Sequence, residues 1–253
     1  MYFLYITSPG YAIFPDVTDV KSLALGRLRA LSETAVNPAS LSSLDSAQVG
    51  MAVMNYFQIE ELNSYTAYGL FPNSYLDAAL RLSGFGYEDY RQWCIHGSFS
   101  KKINAKLSVG IGIHYDLTSG TYEEDIPTAL GADIGLNYLL HSHLRCVVLY
   151  ENVFNNSDAY PGLLSSGVEY KMAPSCYLSL EYATDFSGIS RFSFGIDYEL
   201  SDRFCVRTGC YTQEFTPTFG LSFSWNRFTT DIACDKHAQL GYSTSLALSY
   251  KLN

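Results

Sequence analysis

Side chains able to bind a metal or move a proton are sparse in this sequence, and where they cluster the spacing is poor. His141 and His143, two apart in HSH, could offer two imidazoles to one ion. No third ligand lies near them, so solvated histidines in a tight turn are the simpler reading. Glu123, Glu124 and Asp125 form an acidic run suited either to calcium or to a solvated loop. Six cysteines (Cys94, Cys146, Cys176, Cys205, Cys210 and Cys234) show neither CxxC nor a zinc-type spacing. They read as small hydrophobes inside strands, with a disulfide between neighbouring strands left open. No nucleophile elbow, phosphate-binding glycine loop or paired catalytic carboxylates are present. The expectation is a non-enzyme without cofactor or metal.

A second set of residues is charged and mixed in sign. Lys106, Asp133, Arg145, Glu151, Glu169, Lys171, Glu181, Asp197, Glu199, Arg207, Arg227 and Asp231 fall on the polar side of alternating segments. Enclosed charges need partners or water. With Arg27 and Arg29 from the N-terminal segment, Asp133, Glu169, Asp197, Glu199 and Arg207 are expected to close an interior by ion pairing. The alternative is that the same charges line a wet channel, as in a porin.

The elements that must position these groups are strands. In RFSFGIDYEL, Phe192, Phe194, Ile196, Tyr198 and Leu200 share one side, and Ser193, Gly195, Asp197 and Glu199 the other. In the last segment Leu246, Leu248, Tyr250 and Leu252 alternate with Ser245, Ala247, Ser249 and Lys251. From about Ser46 onward such segments number roughly fourteen, of about ten residues each, the length with which a tilted strand crosses a bilayer. Links after even-numbered segments are tight (FPNS, SKKIN, HSH, AP, SD, WN). Links after odd-numbered ones are mostly longer, from GYEDYR (86–91) through TSGTYEEDIPT and FNNSDAYPG to DKHAQLG (235–241). Short turns at one rim and long loops at the other are how outer-membrane barrels are built, whereas a Greek-key sandwich does not sort its loops by parity. Phe192, Phe194, Ile196, Tyr198, Leu246, Leu248 and Tyr250 are therefore expected to face lipid.

Composition agrees with this reading. Charged residues are 16% of the 253, aromatics are 15% with 21 Tyr, and the net charge of −9 leaves no basic patch for nucleic acid. No window has the 18 consecutive apolar residues of a membrane helix, so a crossing requires a closed barrel. Residues 1–45 differ from the rest. Residues 1–12 are compatible with the remnant of an export signal, Val20–Leu31 carry helical spacing, and a Ser- and Asn-rich run follows. Residues 1–45 are expected to form a hatch, and 46–253 the barrel.

LALGRLRALSETAVNPASL (Leu23–Leu41) resembles the N-terminal signature of the FadL-like outer-membrane barrels, in particular the PorV and PorQ group of Bacteroidota. Leu25-Gly26 and Asn37-Pro38-Ala39 carry the likeness. Arg207–Ala233 and His237–Leu252 are similar to the closing hairpins of that group. The chain departs from it in its shorter length, its modest loops, Arg27 where a second glycine is usual, and Asn253 after the expected end. The resemblance implies a fourteen-stranded transmembrane antiparallel β-barrel with an N-terminal hatch, in the outer membrane of a Gram-negative bacterium. It implies a non-enzymatic docking subunit of type IX secretion or surface assembly, with outer-membrane lipid and other outer-membrane proteins or surface lipoproteins as partners. The alternative it allows is a transporter of hydrophobic small molecules. A soluble β-sandwich binding module stands apart from both.

Overall fold

A computed structural model of the chain describes residues 19–32, 34, 36–87, 89–120, 128–155, 162–185, 190–212 and 215–252. These form fourteen strands. The first five are β1 (Gln48–Asn55), β2 (Asn63–Phe71), β3 (Asp77–Tyr87), β4 (Tyr90–Lys102) and β5 (Leu107–Gly120). They continue as β6 (Ala129–His141), β7 (Leu144–Asn155), β8 (Leu163–Ala173), β9 (Cys176–Thr184) and β10 (Ser190–Ser201). The last four are β11 (Phe204–Tyr211), β12 (Thr216–Trp225), β13 (Phe228–His237) and β14 (Gly241–Lys251). Each pairs antiparallel with its sequence neighbours, and β1 closes on β14 from Gln48↔Lys251 to Asn55↔Thr244. A closed antiparallel barrel, not a sandwich, is the result, and it has no free edge.

The period-2 pattern explains the two faces. Phe192 is 59% exposed on the outside while Arg191, Ser193 and Gly195 beside it are buried within. Tyr198, Leu246 and Leu248 are likewise exposed on the outside, and Phe194, Ile196 and Tyr250 complete the same outer rows, half-covered by neighbours. Aromatic rings gather at both rims: Phe204 with Phe223 and Phe228 with Tyr250 at one, Tyr182 with Phe192 at the other. No helix among the described residues is long and apolar enough to cross a membrane.

Tight links follow the even strands β2 to β12 as expected, although Ser100, Lys101 and Lys102 of SKKIN belong to β4 and leave 103–106 as the turn. Two of the longer links are shorter than expected. β3 and β4 run to Tyr87 and from Tyr90, and β13 continues through His237, because the register Gly86↔Arg91 and Asp235↔Ser243 extends the ladder into both segments. Lys106 and Arg227 lie exposed in tight turns rather than in the interior. Glu123, Glu124 and Asp125, and residues 1–12, lie outside the described residues.

The described residues among 19–47 fold into the lumen. The helical spacing over Val20–Leu31 yields only α1 (Val20–Ala24), capped by the Asp19 carboxylate on the Lys21 N–H. It stops there because Gly26 and Arg27 both adopt left-handed backbone, with φ of 85° and 57°. A 3₁₀ segment, Pro38–Ser43, follows, with Asn37 at its N-cap. All six cysteines are free.

Candidate functional site: the hatch, its latches and an apolar seam

Two cross-strand glycine pairs seat the hatch. On β5 and β6, Gly110 lies opposite Gly135. A Cβ at Gly110 would collide with Pro38 and Ala39, and one at Gly135 with Asn37 Oδ1 and Ala39. On β10 and β11, Gly195 lies opposite Gly209, and a Cβ on either would run into Leu25 or Gly26. The two short motifs that carry the N-terminal resemblance thus each lie flat against a bare strip of inner wall. Asn37 is fully buried: its amide donates to Ala30 O at 2.8 Å, and its Oδ1 accepts the Ala39 N–H at 3.0 Å. Pro38 follows at the first position of the segment, where its fixed φ suits the turn.

Polar side chains of the wall then satisfy the hatch backbone. The Glu181 carboxylate accepts N–H groups of Arg29 at 2.8 Å and Ala30 at 2.9 Å. Thr218 Oγ1 accepts from Gly26 N and donates to Ala24 O. Arg191 donates to Arg27 O at 2.7 Å. An irregular chain inside a barrel needs such partners, since each unmet buried group costs about 1–3 kcal/mol.

Two ion pairs latch the hatch. Arg27 meets Asp235 at 2.7 Å and lies over the rings of Tyr56 and Tyr211; Arg29 meets Glu151 at 2.5 Å. Burial works against the Arg27 charge, but Asp235, with Tyr211 and Tyr56, outweighs it and holds the guanidinium above its ordinary pKa. Burial pushes the Tyr56 phenol up, so it stays neutral.

The remaining charges of the expected set lie on the wall and pair across strands rather than with the hatch. Glu169 faces Arg145 at 3.1 Å, its neighbour directly across the sheet. Arg207 bridges Asp197 at 2.9 Å and Asp231 at 3.0 Å, and Ser222 donates to the same Asp231 oxygen. Glu199 is exposed beside them. Directly opposed residues meet more readily than distant ones, so these charges pair within the wall. Asp133 faces His96 and His114. The hatch partners are instead Asp235, Glu151 and Glu181; the last two were readable as inward-facing, whereas Asp235 looked like loop. His141 and His143 stack in the exposed turn, each within reach of the Ser142 hydroxyl.

Below the hatch, toward the short-turn rim, lies a cavity of about 690 Å³ lined by Glu169, Asp197, Glu199, Arg207, Asp231 and Lys251 among others. Three stretches of wall break the polar pattern: Val147 and Leu149 of β7 pack with Leu28 and Leu31, Leu70 of β2 and Ala79 of β3 pack with Leu41, and Ala52 and Met54 of β1, Ala233 of β13 and Ala247 of β14 pack with Val20, Leu23 and Ala24 of α1. The same cluster continues through Tyr56 to Phe57, Leu62 and Phe85 at the long-loop rim. At its other end Val20 and Ala247 also line the cavity. An apolar seam therefore runs from rim to cavity, with α1 packed against it.

No protein-family model and no curated protein matches the sequence. The fold is similar to several solved barrels. The Pseudomonas putida toluene transporter TodX gives a TM-score of 0.73 at 11% identity, over 94% of this chain and 99% of that one. A Pseudomonas aeruginosa FadL homologue gives 0.72 at 11% identity, over 96% and 100%. The CymD monoaromatic hydrocarbon channel gives 0.70 at 12% identity, over 93% and 97%. These likenesses define the fold as that of FadL-type barrels.

Proposed function

We propose that this chain spans an outer membrane and carries small hydrophobic molecules through its lumen, between α1 and the β1–β14 wall, with the hatch as gate. The apolar seam is the observation that carries the reading. Opening the seam to water would expose Val20 and Leu23, at about 1.5–3 kcal/mol for each side chain. A hydrophobic solute in the same space keeps them covered, so the seam yields to oil and resists water. The apolar outer face with aromatic rings at both rims supports a bilayer setting. Barrels of like fold described as hydrocarbon channels and a toluene transporter support the substrate class.

The docking reading, as a type IX secretion subunit of Bacteroidota with lipoprotein or outer-membrane partners, rests on the N-terminal motifs and on the likeness of Arg207–Ala233 and His237–Leu252 to closing hairpins. Those motifs face the barrel's own wall and are buried by it, which gives them a role without a partner.

The test is uptake of a small aromatic hydrocarbon by vesicles containing the barrel. Uptake above that of protein-free vesicles is expected, together with its loss in Met54→Trp and Ala247→Trp and its retention in the outward-facing Leu248→Trp. Wild-type uptake no faster than protein-free vesicles would overturn the proposal.

A further inference from the structure

Away from the hatch latches, the inner wall of β4, β5 and β6 holds a cluster that transport does not use. Cys94 lies directly opposite Asp116, and His96 directly opposite His114. The donor atoms of Cys94, His114 and Asp116 all lie within 4.8 Å of one another. All three point inward and are buried or nearly so, with Asp116 only 1% exposed. The geometry points to a site for a transition-metal ion of zinc-like character, held by Cys94, His114 and Asp116.

Four features favour an ion over a plain polar network. Thiolate sulfur, imidazole nitrogen and carboxylate oxygen together form a donor set that borderline divalent ions prefer and that calcium and magnesium do not. Asp116 Oδ2 meets His114 Nδ1 at 2.7 Å, yet Asp116 Oδ1 is buried with no hydrogen-bond partner among the described residues. A buried carboxylate oxygen left in that state is costly, and a cation beside it removes the cost. On the far side of the ring, His114 Nε2 lies 3.6 Å from Asp133 Oδ1, where a carboxylate orients a metal-binding imidazole. Finally, glycine stands where larger residues would close the space: a Cβ at Gly131 would strike His114, and one at Gly112 would strike His96 and crowd Asp133.

Nδ1 of His114 would bind the ion, releasing the proton it now shares with Asp116, and Cys94 would release its thiol proton. The Nε2–H would then point toward Asp133, 3.6 Å away. The thiolate and the Asp116 carboxylate balance a divalent charge. Three protein ligands leave the fourth position of a tetrahedral ion to water, the arrangement of an open rather than a closed site.

The test uses the full barrel, purified in detergent, stripped with chelator and titrated with Co2+. The expected result is saturation at one ion per chain, with a thiolate-to-cobalt charge-transfer band and displacement by Zn2+. Cys94→Ser should abolish that band, while Cys146→Ser, on another strand, should leave it. Asp133→Asn should weaken binding by about 10–100-fold, as loss of an outer carboxylate partner does. Heat-modifiable migration on gels checks that each variant is folded. Absence of saturable binding in the wild type would overturn the proposal. So would a thiolate band that survives Cys94→Ser, or binding that disappears with His141→Ala.

Discussion

Glu181 shows how one side chain can hold a loop without secondary structure. It is 3% exposed on β9, and its carboxylate gathers successive N–H groups from Arg29 onward, much as an anion sits at a helix start. Arg191 on the next strand answers it by donating to the Arg27 carbonyl. In Glu181→Ala those N–H groups lose their acceptor inside the lumen, a loss of about 1–3 kcal/mol for each buried group left unmet. The hatch should loosen without the barrel unfolding. Planar-bilayer recordings are expected to show openings in this variant that the wild type lacks; a variant as silent as the wild type would mean that Glu181 does not restrain the hatch.

At the scale of elements, the barrel wall and the hatch obey different rules. Strand facing follows from a period of two and can be read locally, which is why the outer rows around Phe194 and Leu248 and the six tight turns were legible in the sequence. Phe194→Lys, placing a charge in the outer apolar band, is expected to destabilise the barrel by about 2–4 kcal/mol in bilayers if it lies near the midplane. Denaturant titration in vesicles measures this, and indifference to the change would remove that face from the lipid. What was not legible depends on pairings between distant segments. Helical spacing to Leu31 gave no warning that Gly26 and Arg27 turn left-handed, since nothing local requires it of Arg27. The seating of Asn37-Pro38-Ala39 on Gly110 and Gly135 requires knowing that these glycines oppose each other. Cys94 and Asp116 could have been matched earlier, because pairing Lys102 with Ser108 across the tight turn brings them opposite. Gly110→Leu should push the 3₁₀ segment off the wall and make residues 37–43 accessible to protease in intact vesicles, whereas unchanged protection would mean that the glycine pair is not the seat.

The whole molecule combines a wall that has no edge with a plug that has little structure of its own. The wall's rigidity comes from fourteen ladders that close into a ring; the plug's position comes from two latches, two glycine pairs and a few buried acceptors. On the proposed reading, such a division lets the plug move while the barrel stays closed to the bilayer. The two ends of the lumen differ in chemistry: an apolar approach at the long-loop rim, and a charged cavity at the short-turn rim where Arg207 ties Asp197 to Asp231. In the proposed transport a hydrophobic solute enters along the first and leaves through the second.

On the proposed reading the hatch moves, and a reversible tether between hatch and wall probes that movement. The hydroxyls of Ser42 in the hatch and Ser100 on β4 meet at 2.6 Å, so cysteines in their place would set two sulfurs within bonding reach. Vesicles carrying Ser42→Cys with Ser100→Cys are to be assayed for uptake of a small aromatic hydrocarbon before and after reduction, beside each single variant. Uptake is expected to be blocked when the pair is oxidised and to return on reduction, with the single variants insensitive to redox state. Equal uptake in the oxidised and reduced double variant would show that solute passes without the hatch moving.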